Sequence, residues 1–194
     1  MPEAPQASTP LSHARARPPG RDDRTSLPVG IYVTSVCVLA IGLAAFDWVQ
    51  NGPPAWNAVI VLSILGILGS SLRERELGPH LGVSVATVIL AAALPLAGPA
   101  GAVIVGFLSY LGSLRTQRTR TRLFNAGMTG VMGGVGGVLY LLAGGEHPGE
   151  VALDPLGLLL QVALPLVLAY VVMTLLNTVL IGGMPAATVG AQHI

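Results

Sequence analysis

Residues 123–143 contain no Asp, Glu, Lys or Arg, and they directly follow Arg115, Arg118, Arg120 and Arg122. An uncharged stretch of about 20 residues is long enough to cross a bilayer core as a helix. An arginine at the centre of such a helix would cost about 2.5–3.5 kcal/mol. The four arginines therefore form a cytoplasmic basic loop at a membrane boundary, and the apolar stretch beyond them is a span. Other apolar runs share this pattern: 29–49, 56–72, 81–114 and 156–181. Ala97-Gly98-Pro99-Ala100-Gly101 interrupts the third of these. A Gly-Pro pair breaks a helix, so two short spans are expected, 81–97 and 100–114, with a re-entrant hairpin as the rival.

The expected fold is an all-α integral membrane protein of about six transmembrane helices, with cytoplasmic N- and C-termini. Composition agrees: 10% of residues are charged and 52% apolar, where soluble domains carry about 25% charged residues. Residues 1–28 combine Pro2, Pro5, Pro10, Pro18 and Pro19 with Arg15, Arg17, Arg21 and Arg24, the composition of a disordered cytoplasmic tail. Residues 29–183 form the membrane domain and 184–194 a short cytoplasmic end. Every arginine falls on one side of this arrangement, as the positive-inside rule requires. Glu146, Glu150 and Asp154 fall on the other. The location is the cell inner (plasma) membrane, and the lipid bilayer is the first partner.

Several functional classes are set aside by composition and spacing. Cys37 is the only cysteine, so no disulfide framework or multi-cysteine zinc site is available. The histidines have no ligand spacing, and no metal or cofactor is expected. Net charge is +1, which argues against a nucleic-acid face. The Gly-rich helix is no phosphate loop, since no Lys-Ser/Thr follows the glycines. No carboxylate pair or nucleophile with a base lies within a span, and an enzyme is not expected.

Two sets of residues remain as candidates. Ala126, Gly130 and Gly134, with Gly133 and Gly137 beside them, form a small-xxx-small pattern for close helix packing, within the chain or in a homodimer. Ser84, Thr87, Ser109, Asn125, Thr174, Asn177 and Thr178 fall at similar depth near the cytoplasmic ends of their spans. Of these, Asn125, Asn177, Thr178, Ser84 and Ser109 are expected to make interhelical polar contacts, with a small polar cavity as the alternative. At the outer end Trp48 and Trp56 suit an aromatic belt, with Asp47 just inside it as a capping carboxylate. Asp47, Trp48, Tyr140, Glu146 and His147 make up an outer ligand site if the chain carries a solute.

LPLAGPAGAV, the arginine-rich loop, Phe124-Asn125-Ala126, a Gly/Ala-rich span closing on Tyr140 and Gly144-Gly145, and Leu176-Asn177-Thr178 together resemble the multi-spanning N-terminal membrane region of bacterial signalling proteins. Such regions precede HD-GYP, GGDEF or histidine-kinase output domains, and the resemblance covers about 81–183. It implies a sensory or anchoring module without catalysis of its own, which acts as a homodimer or through a cytoplasmic output partner, its output lying either beyond residue 194 or on that partner. The short Gly/Pro-broken spans also resemble substrate-binding components of energy-coupling-factor transporters, which implies a small-solute transporter subunit instead.

Overall fold

The computed structural model describes residues 26–72, 85–112, 119–147, 149 and 154–190. Ser84, Arg115, Arg118 and the tail before residue 26 lie outside the described residues. The elements are α1 (Ser26–Asn51), α2 (Trp56–Leu72), α3 (Val85–Leu111), α4 (Thr119–Leu142), α5 (Pro155–Leu158), a π-helical turn (Leu159–Ala163) and α6 (Leu164–Gly190). No strand occurs among the described residues. Val29–Asn51, Val85–Leu111, Thr119–Leu142 and Pro155–Gly182 are long and apolar enough to cross a membrane, and Trp56–Ser71 is a shorter apolar helix. The chain is an all-helical protein with the character of a membrane protein.

Although α3 reads as continuous, Gly98 has φ 71° and ψ 178°. Glycine adopts a positive φ without a Cβ clash, and the following Pro99 disfavours a helical residue before it. The consequence is a reversal. Leu90 Cδ1 lies 3.1 Å from where a Cβ on Gly106 would sit, whereas in a straight helix these residues would be about 24 Å apart. Residues 85–97 and 99–111 are thus antiparallel arms of a hairpin, broken where the Gly-Pro pair was expected to break them. The arms run the depth of α2: the second passes Pro54 and Val59 at Gly101 and Gly66 at Ser109. Each arm is only about 20 Å long, against a hydrocarbon core of about 30 Å.

α4 is the helix against which α1, the hairpin and α6 pack, while α2 packs on the hairpin. Gly130 and Gly134 meet Ala40 and Leu43 of α1, Gly133 and Gly137 meet Ala102 and Pro99 of the second arm, and Gly136 meets Met173 of α6. In lipid no hydrophobic gain separates helix from tail, so close backbone approach and dispersion hold such a bundle. Within the membrane-length windows, 67% of residues in α3 and in α4 are buried, against 17% in α1 and in the α5–α6 segment. The hairpin and α4 therefore form the interior, with α1 and α6 outside them. α4 runs parallel to α1 and antiparallel to the second arm. This gathers the start of α1, the end of α2, both feet of the hairpin, the start of α4 and the end of α6 at one end of the molecule, here called the arginine end.

The other end is built from caps. Gly52, with φ 86°, closes α1, its N–H donating to Trp48 O at 3.0 Å, and Pro53-Pro54 prevents continuation. Gly144, with φ 80°, ends α4 in a Schellman arrangement: Gly145 N–H donates to Tyr140 O and Gly144 N–H to Leu141 O. Asp154 caps α5 by accepting from Gly157 N–H at 2.9 Å, with Pro155 in the first turn. Among the boundaries that differ from expectation, α1 runs over Ser26–Asn51 where 29–49 was expected. Arg120 and Arg122 lie in the first turn of α4 instead of in a loop, and α6 continues to Gly190, past the end of the apolar run at 181.

Candidate functional site

Asn125, Met128, Thr129 and Met132 recur at helical spacing on one face of α4, and Tyr170, Thr174, Asn177 and Ile181 do so on α6. Together with Thr87 and Tyr110 from the two feet of the hairpin, they line a cavity of about 200 Å³. On α4 its lining ends one turn short of Gly136, where Met173 of α6 packs against that helix. Two contacts hold its frame. Thr129 Oγ1 donates to Gly106 O at 2.9 Å and lies 2.6 Å from Asn125 O, tying α4 to the second arm. Tyr32 stacks on Phe124 with ring centroids 5.7 Å apart, and its hydroxyl donates to Leu180 O at 2.9 Å, linking α1, α4 and α6.

The lining is polar and, among the described residues, contains no charged side chain. The hydroxyl protons of Thr129 and Thr174 are committed to backbone oxygens, that of Thr174 to Tyr170 O at 2.9 Å. These two groups can still accept. Among the described residues no hydrogen bond joins Asn125 to Asn177; their carboxamides border the cavity. Of the other expected interhelical contacts, Thr178 is exposed and donates to Thr174 O of its own helix at 3.1 Å. Ser109 Oγ donates to Val105 O at 2.6 Å, and its carbonyl accepts from Ser70 Oγ of α2 at 2.7 Å. Thr129, Tyr110 and Tyr170 were not expected at the site. Spacing could have shown Thr129 and Tyr170, each one turn from an expected polar residue, whereas Tyr110 arrives only through the folding of the hairpin.

At the opposite end the five residues of the expected outer site have separate tasks. Asp47 is 6% exposed; its Oδ2 accepts from Ala100 N–H at 2.7 Å and its Oδ1 from Asn51 Nδ2 at 2.6 Å. It caps the second arm from another helix. Trp48 lies edge-on to Trp56 at 5.7 Å. Tyr140 is 1% exposed, its hydroxyl donating to Glu146 O at 2.6 Å and lying 3.4 Å from Gln161 O. Glu146 and His147 have exposed side chains. None of the five lines the cavity.

Comparison with protein-family models, with curated proteins and with solved structures finds no match to this chain.

Proposed function

We propose that the chain is a multi-pass plasma-membrane protein of six spans, with the hairpin arms as the third and fourth, acting as a sensory module without catalysis of its own. The arginine end and both termini face the cytoplasm. Orientation rests on charge: every arginine belongs to a segment attached to the arginine end, and Glu146 and Asp154 to the other. Arg120 and Arg122 in the first turn of α4 oppose the helix dipole by about 0.3–1 kcal/mol each. An anionic inner leaflet offsets this with about 1 kcal/mol per arginine.

The polar cavity between α4, α6 and the hairpin carries the functional reading. Apolar packing would close such a bundle more favourably, and the half-buried carboxamides of Asn125 and Asn177 border this space, where a polar ligand or water can pair with them. Of the cavity's walls α6 is the least buried, and it is the element that responds. Occupancy of the cavity draws α6 towards α4 or holds it away, and a cytoplasmic partner or a second copy of the chain reads the shift. The transporter reading has less support, because Asp47 and Tyr140 of its outer site are engaged in bonds that hold the fold.

The test uses spin labels at positions 119 and 179, both exposed, in a Cys37→Ala protein in lipid nanodiscs. Small polar compounds that raise the thermal stability are expected to move the α4–α6 distance by about 1–2 Å. Distance distributions that superimpose for every stabilising compound would remove the sensory reading.

A further inference from the structure

Resting on that reading, we infer that the cavity selects a small, uncharged, planar molecule carrying both a hydrogen-bond donor and an acceptor, of the aryl-amide or lactam-ring class. Four observations bear on it. The first is charge: among the described residues the lining has no ionised side chain, and these residues offer an ion no counter-ion for the solvation, worth several kcal/mol, that it would lose on leaving water. Arg120 and Arg122 precede Asn125 on α4 but are not part of the lining.

The second is hydrogen-bonding capacity. Thr129 and Thr174 have given their protons to backbone oxygens, which leaves them as acceptors. Asn125 and Asn177 each present two N–H donors and one carbonyl acceptor. A carboxamide side chain pairs best with a group that offers donor and acceptor side by side, as it does with the edge of a base. A primary amide or a ring lactam has that edge, whereas an ether or a simple alcohol does not.

Shape and size narrow the class. Tyr110 and Tyr170 supply ring surfaces, and Met128 and Met132 supply polarisable thioethers; both favour a flat π system. A cavity of about 150 Å³ accommodates benzene, so the 200 Å³ here suits a ring with one or two small substituents.

Benzamide, benzoate and toluene share one ring and differ only in the group tested, with uracil as a lactam. The full chain in nanodiscs should be stabilised saturably by benzamide or uracil and not by benzoate or toluene. Asn125→Leu and Asn177→Leu should each weaken that binding about tenfold or more, the loss of one good hydrogen bond. Methyl-labelled methionine spectra of the unsubstituted protein locate the ligand even if a variant does not fold: the Met128 and Met132 methyls should shift by ring current. Failure of both benzamide and uracil to bind overturns the inference, as does equal binding of benzoate or toluene, or a shift confined to other methionines. If a different compound stabilises the protein and moves α6, this ligand class fails and the sensory reading stands; if benzamide or uracil binds with no movement, the reverse holds.

Discussion

Asp47 is a carboxylate within an apolar helix, and it is tolerated there because both of its oxygens are taken. Ala100 N–H is among the first in its arm and has no carbonyl a turn earlier to accept it, since the chain reverses at Gly98. Asp47→Ala orphans that donor and should lower stability by about 1–3 kcal/mol, read as a fall in the thermal midpoint in detergent; Asp47→Asn keeps an acceptor and should fall less. The same logic explains Tyr140. Pro165 has no N–H to give the Gln161 carbonyl four residues earlier. That carbonyl accepts instead from Glu146 N–H at 2.9 Å, with the Tyr140 hydroxyl at 3.4 Å. A capping role for Asp47 follows from a lone carboxylate at a span end. Which donor it caps, 53 residues away, does not.

The element scale is governed by how closely α4 is approached. A Cβ on Gly133 would come within 2.5 Å of Ala102 O, a backbone atom that cannot swing aside, whereas a Cβ on Gly42 of α1 meets nothing within 4 Å. The same substitution should therefore have opposite signs. Gly133→Ala is expected to cost about 1–3 kcal/mol through overpacking, and Gly42→Ala to stabilise by about 0.5–1 kcal/mol through helix propensity; thermal midpoints of the two variants in one detergent decide it. The small-residue spacing on α4 was legible in the chain. Its partners were not, because Gly130 and Gly133 look alike in sequence although one sits between α1 and the second arm and the other between the two arms of the hairpin.

For the whole molecule, the parallel and antiparallel contacts of α4, and those of α2 with the hairpin, sort the helix ends into two sets, and the charges in the sequence are the basis of the orientation proposed for those sets. Cysteines placed at Asn51 and His147 in a Cys37→Ala background should react with an impermeant maleimide on intact cells, and one at Thr119 only after permeabilisation. The opposite pattern would invert the proposed orientation. The same sorting places the cavity at the arginine end and the capped turns at the other, so that the end with the polar opening is the one proposed to face the cytoplasm.

Helical class, the apolar stretches and the break at Gly98-Pro99 were determined by the sequence alone, because the cost of a charge in hydrocarbon and the geometry of Gly-Pro are properties of a residue and its immediate neighbours. Tertiary structure decided where the polar side chains meet. Asn125 and Asn177 border one cavity because α4 packs against α6, in contact at Gly136 and Met173, and Tyr110 joins them because the hairpin folds back. No local pattern encodes the distance between two helices; it is set by every side chain packed between them.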